Sequence, residues 1–262
     1  MARWKAPTAA GFPPLAVALV ILSWISLLVW DASPYGRYLH HGDWTTIGFG
    51  SLICMAVPGG SWLVPGILYA GGWLLMSAAM MLPTTAPLIG MFDRMITERR
   101  DRATLHALLM GGYLLAWAGF GAAAHLLDGV LHATLGGWVW LALHPYVPGA
   151  VILALAGAFQ FSPLKYYCLD KCRTPLGFLT SYWHGPNPRL EAFRLGLAHG
   201  LYCVGCCWAL MLTMFLVGTG SLGWMLMLGL VMAVEKNHPW GRRLSAPLGG
   251  ALLAGAGFVL LR

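Results

Sequence analysis

The chain has 262 residues, of which 58% are hydrophobic and only 10% charged, against about 25% charged in soluble domains. That balance excludes a soluble globule, and long uncharged runs carrying 13 Trp and 13 Met exclude disorder, which belongs to segments with too little apolar surface to bury. The net charge of +7 does not indicate nucleic acid, because the basic residues fall in short clusters between apolar runs, as they do in membrane proteins. The expected fold is an all-α polytopic transmembrane helix bundle whose first partner is the lipid bilayer.

A membrane-crossing helix needs about 20 mostly apolar residues, at about 1.5 Å each, to cross a hydrocarbon core about 30 Å thick. Seven stretches approach that length: 14–30, 62–82, 104–124, 146–162, 193–217, 222–234 and 245–261, the sixth being short. The first follows Arg3 and Lys5 as a signal peptide would, but Asp31-Ala32-Ser33 makes a poor small-residue cleavage site, so it reads as a helix. Two further apolar runs, 47–57 and 130–143, are interrupted or too brief to span and read as interfacial or re-entrant pieces. Gly136, Gly137 and Pro145 argue against a continuous span in the second of these.

Positively charged loops stay on the cytoplasmic side, so counting Lys and Arg by loop tests the seven-span reading. Alternate segments carry two (Arg3, Lys5), four (Arg94, Arg99, Arg100, Arg102), five (Lys165, Lys171, Arg173, Arg189, Arg194) and three (Lys236, Arg242, Arg243), 14 in all, against two (Arg37, Arg262) on the opposite side. The N-terminus is therefore expected in the cytoplasm and the C-terminus outside. No repeat or soluble domain is visible, so residues 1–262 read as a single transmembrane domain. The small residues Gly196 and Gly200, Ala116 to Ala124 and Gly249 to Gly257 let helix backbones approach, as bundles in lipid require.

Five of the six cysteines fall in two blocks: Cys168 and Cys172 after the fourth span, and Cys203, Cys206 and Cys207 within the fifth. At about 100° per residue, and with His199 set at zero, Cys203 lies near about 40°, Cys206 near about −20° and Cys207 near about 80°. One helix face thus presents an imidazole and three thiols. Thiolate and imidazole are soft and borderline donors that suit Cu(I), and secondarily Zn(II). Entering at Phe193, the chain reaches His199 after about 9 Å and Cys207 after about 21 Å, on the same side as Cys168 and Cys172. Met76, Met80 and Met81 lie at that end too, but a Met stripe at helical spacing reads as packing. Cys54 reads as a small hydrophobe. Glu235 beside Lys236 reads as a snorkelling ion pair. His40, His41, His125, His132 and His144, with Asp128, read as solvated residues of the outer side.

Several motifs combine here: Phe161-Ser162-Pro163-Leu164-Lys165 running into Cys168-x3-Cys172, then Gly196-x2-His199-Gly200-x-Tyr202-Cys203-x-Gly205-Cys206-Cys207-Trp208-Ala209-Leu210-Met211, with Met80-Met81-Leu82-Pro83 upstream. From the second span to the sixth the chain resembles an uncharacterised bacterial family described as predicted metal-binding integral membrane proteins. The resemblance implies metal binding in a bacterial inner membrane, with copper handling as the context, and strengthens His199, Cys203, Cys206, Cys207, Cys168 and Cys172 as the metal ligands. It brings no established reaction.

Three functions remain open on the sequence. The first is a membrane metal-handling protein that holds Cu(I) near the cytoplasmic half of the bilayer for transfer, sensing or transport, with a metallochaperone or a membrane complex as partner. The second is a thiol-disulfide oxidoreductase built on Cys203-Val204-Gly205-Cys206, against which stands the inward position of its thiols, where cells keep cysteines reduced. The third is a non-catalytic assembly subunit. Hydrolytic catalysis finds no paired carboxylates, nucleophile elbow or H-E-x-x-H motif to carry it.

Overall fold

Proline sets where half of the described α-helices begin, because it has no N–H to leave unpaired in a first turn and its φ is already near the helical value. The computed structural model describes residues 13–33, 63–135, 138–144, 146–217 and 221–261. Within them α1 (Pro14–Asp31), α3 (Ala86–Met95), α6 (Val147–Phe159), α7 (Pro163–Arg173), α8 (Pro175–Tyr182) and α9 (Pro188–Leu212) all carry proline at their first or second position. Proline also ends helices, since its ring clashes with the preceding turn. α2 (Leu63–Met81) accordingly stops before Pro83, passes through a 3-10 turn (Pro83–Thr85) and bends by 40° into α3. α6 bends by 63° into α7 at Pro163, where the Ser162 hydroxyl caps the new helix by accepting from the Leu164 N–H at 3.2 Å.

The remaining elements are α4 (Arg102–Leu135), α5 (Val139–Leu143), α10 (Met214–Val217), α11 (Leu222–Asn237), a second 3-10 turn (Gly241–Leu244) and α12 (Ser245–Leu260). Among the described residues, α1, Arg102–Leu131 of α4, α9 and Gly241–Leu260 are long and apolar enough to cross a membrane, and the two bent pairs bring the number to six if each is one span. The short sixth stretch is the 16-residue α11, about 24 Å long at about 1.5 Å per residue. The run 130–143 behaves differently from its expected re-entrant form. α4 continues through His125 and Asp128 as one 34-residue helix, because a helix bonds its own backbone whatever side chains it carries. Only Val139–Leu143 forms a separate short helix. The run 47–57, with Cys54, and residues His40 and His41 lie outside the described residues.

The closest pairing in the bundle is α4 against α9, and glycine makes it. A Cβ on Gly196 would collide with the Leu109 carbonyl, one on Gly112 with the Phe193 carbonyl, and one on Gly200 would stand 2.7 Å from Ala116 Cβ. Backbone thus lies on backbone, the contact that drives helix association where lipid supplies no hydrophobic force. α12 meets α6 in the same way, with Gly157 against Gly249 and Leu253. Large apolar side chains such as Leu22, Val29, Leu201, Leu226 and Leu230 remain on the outer surface, while the interior is rich in Met, Ala and Cys.

Candidate metal centre

α9 carries His199, Cys203, Cys206 and Cys207 on its buried face. The Cys206 and Cys207 sulfurs are 3.3 Å apart, and the Cys206 thiol also donates to the Cys203 carbonyl at 3.2 Å. Cys203 lies on the same buried face, one turn before Cys207. From α7, Cys172 packs against the core that holds these thiols, and Cys168 presses against the bare backbone of Gly205, where a Cβ would stand 2.6 Å from its sulfur. Gly205 is thus what lets α7 close on α9. The two cysteine blocks, 31 or more positions apart in sequence, meet across one helix interface. All five are free thiols, and Cys172 alone among them is only half-buried.

His199 is packed among aromatic rings. It is 2% exposed, stacked on Tyr113 at 6.0 Å and edge-on to Phe178 at 5.4 Å. Its Nδ1 has no hydrogen-bond partner, and its ring faces a small cavity of about 10 Å³ shared with Thr85, Met110 and Tyr113. It shares the buried face of α9 with Cys203, and Tyr113 touches both, stacking on the imidazole and standing 2.8 Å from the Cys203 sulfur. Among the described residues no three His, Cys, Asp or Glu side chains are arranged as a cage for one ion. What the interface offers instead is a group of five thiols in one core, of which Cys206 and Cys207 are in direct contact.

The residues that sequence reasoning missed are the cations. Lys236 is 4% exposed and its ammonium donates to Cys203 Sγ at 2.8 Å and to Thr84 Oγ1 at 3.0 Å. Tyr113 completes the surroundings of Cys203, its hydroxyl 2.8 Å from the same sulfur and donating to the Met81 carbonyl at 3.2 Å. Glu235 does not pair with Lys236 and does not snorkel. It is 1% exposed, bridged to Lys165 at 2.8 Å and accepting from Ser245 at 2.7 Å, with Gln160 also holding Lys165. Consecutive residues on a helix point about 100° apart, so Glu235 faces α7 and Ser245 while Lys236 faces the thiols. Arg173 then caps the end of α11, donating to the carbonyls of Glu235, His238 and Pro239. Met76, Met80 and Met81 are buried in the same core as the cysteines, as packing residues would be.

A separate ionic cluster ties α3 to α4 beyond the apolar span. Asp93 accepts from Nε and Nη2 of Arg102 and lies 2.6 Å from His106 Nε2. Burial by itself would push the Asp93 carboxyl upward, but hydrogen bonds from Arg102 and His106, with their charges, hold it below the usual carboxylate range.

Residues 70–259 match the family model described as PpoB2, copper chaperone. The chain belongs to that family. The match takes in every described cysteine, together with Lys165, Glu235 and Lys236. It agrees with the metal-related family expected from the sequence motifs and names copper as the metal. No curated protein and no solved structure matches the chain.

Proposed function

We propose that the protein is a membrane-embedded copper chaperone that takes up Cu(I) as cargo on the thiols of Cys203, Cys206 and Cys207, with Cys172 and Cys168 of α7 completing the path. The observation that carries this reading is the gathering of five thiols where α7 meets α9, two of them in contact, in a chain whose family is described as a copper chaperone. Cu(I) is a soft ion that prefers thiolate and accepts few ligands, so a group of thiols suits its passage from one pair to the next better than a closed cage does. The buried Lys236 ammonium supports Cu(I) over Zn(II). Two thiolates around Cu(I) leave one net negative charge, which one ammonium offsets; around Zn(II) they leave none, and the ammonium would then be an unbalanced charge in a medium of low dielectric. His199 serves in this reading as a neighbour of Tyr113 and not as a first ligand. In this reading the protein sits in a bacterial inner membrane, as the resemblance implies, and the charge count of the loops supports placing the thiols on its cytoplasmic side.

The test is elemental mass spectrometry on protein purified in detergent under anaerobic, reducing conditions, beside a variant with Cys203, Cys206 and Cys207 changed to Ala. About one equivalent of copper in the wild type, lost in the variant, is the expected result for a thiol site selective for a soft ion. A wild type that holds no copper after loading with Cu(I) overturns the proposal and returns the thiol-disulfide and assembly readings.

A further inference from the structure

At the end of the bundle that carries the Lys and Arg clusters, a cavity of about 180 Å³ opens beside Cys172. Its walls are three prolines, Pro87, Pro175 and Pro239, with Arg173, Lys236 and Asn237. The prolines fix φ and offer no N–H, and the Asn237 amide is held by the Thr84 carbonyl at 3.1 Å, so the mouth is a formed feature. Its lining has two cations and no carboxylate; of the carboxylates around Arg173, Glu235 is bound to Lys165 and Ser245 and Asp170 is paired with Arg242 at 3.0 Å. The one half-buried thiol of the described five, Cys172, stands in this wall and packs against the core that holds the touching pair Cys206 and Cys207. Lys236, also in the wall, donates to Cys203.

We infer that this cavity is the portal at which Cu(I) arrives bound to a small anionic thiol, Cys172 being the first protein sulfur to take the ion. The inference rests on the copper reading above and adds the chemistry of the donor. A bare cation would be repelled by Arg173 and Lys236, whereas a Cu(I) bis-thiolate with acidic groups is an anion that the same charges attract and concentrate. The space, close to that of a cavity holding one benzene-sized molecule, accepts the copper and one slender thiolate arm, not the face of a folded donor. The step is a ligand exchange. The copper bond to one donor sulfur breaks as a bond to Cys172 sulfur forms, the Cys172 proton goes to the departing donor thiolate, and copper remains Cu(I) throughout. The ion then has Cys206 and Cys207 next in line.

The test uses the full chain in detergent micelles. Methanethiosulfonate reagents of matched size, one anionic and one cationic, are reacted with the reduced protein without copper, and labelling of Cys172 is followed by peptide mass spectrometry. Attraction by two cations predicts that the anionic reagent labels Cys172 at least about tenfold faster, with the preference shrinking as salt is raised. Cu(I) delivered as its mercaptoacetate complex should load the protein faster than Cu(I) delivered with cysteamine, and Cys172→Ser should slow the mercaptoacetate route. Equal labelling by both reagents, or faster labelling by the cation, overturns the portal even if the protein binds copper. Failure to take up Cu(I) from either complex, with anion-selective labelling intact, overturns the copper reading instead.

Discussion

The ammonium of Lys236 stands 2.8 Å from the sulfur of Cys203, and its remaining side-chain contact is the Thr84 hydroxyl. A buried lysine that turns to a thiol and a hydroxyl, while the adjacent glutamate serves another lysine, supplies positive charge to the thiols. Lys236→Met is therefore expected to weaken Cu(I) binding about tenfold, or about 1.4 kcal/mol, and to leave Zn(II) binding unchanged or tighter. Competition with a chromophoric Cu(I) chelator measures this, and an unaltered Cu(I) affinity would count against the charge argument.

The Lys165 and Glu235 pair makes a different prediction, because both partners are buried. Removing one charge strands the other, so Glu235→Ala should cost about 3–5 kcal/mol and lower the melting temperature in detergent sharply. Replacing both together, with Lys165→Met and Glu235→Leu, should recover much of that loss, since no unpaired charge remains. Thermal unfolding followed by circular dichroism distinguishes the two cases.

Gly196 and Gly111 lie on different helices, α9 and α4, in opposite surroundings. Nothing lies within 4 Å of a Cβ on Gly111, whereas one on Gly196 meets the Leu109 backbone. Gly196→Ala is expected to destabilise the protein by about 1–3 kcal/mol as an overpacked contact. Gly111→Ala should be neutral or stabilising by about 0.5–1 kcal/mol, from the lower entropy of the unfolded chain. Melting temperatures of the two variants, compared side by side, check the pairing of α4 with α9.

Acid should loosen the α3 to α4 junction through Asp93. Its carboxyl lies below the ordinary range when folded, so its contribution to stability is fully present above the unfolded value of about 3.9. That contribution is lost as pH falls through the lower folded value. The melting temperature should accordingly drop as the pH is taken from neutral down to strongly acidic, and Asp93→Asn should be less stable at neutral pH with a flatter profile. A wild-type curve that is flat through the same range would refute the assignment.

The helices and the glycine seams were legible in the sequence because both depend on local rules: apolar run length, proline position and small residues at helical spacing. The thiol face of α9 was legible for the same reason. The meeting of Cys168 and Cys172 with it was not, since that depends on the 63° bend at Pro163 and on the absence of a side chain at Gly205, which together bring α7 onto α9. Glu235 and Lys236 misled because adjacency in sequence suggests a pair, while helical geometry sends the two side chains to different partners. The length of α4 was missed because hydropathy reports where lipid is tolerated, not where backbone hydrogen bonding stops.

The glycine seam between α4 and α9 also decides which part of the molecule has freedom to respond. With Leu109 and Phe193 carbonyls lying against opposing backbone, α9 has no slack to slide or rotate, and the sulfurs of Cys203, Cys206 and Cys207 are bolted to a fixed post together with Tyr113. Cys168 and Cys172 ride on α7, which is held as firmly, by the buried bridge from Lys165 to Glu235 and by Arg173 on the end of α11. What freedom this part of the molecule has therefore lies in its side-chain rotamers and not in its helices, and spectroscopic labels on α4 and α7 are expected to keep their separation when the protein is exposed to Cu(I).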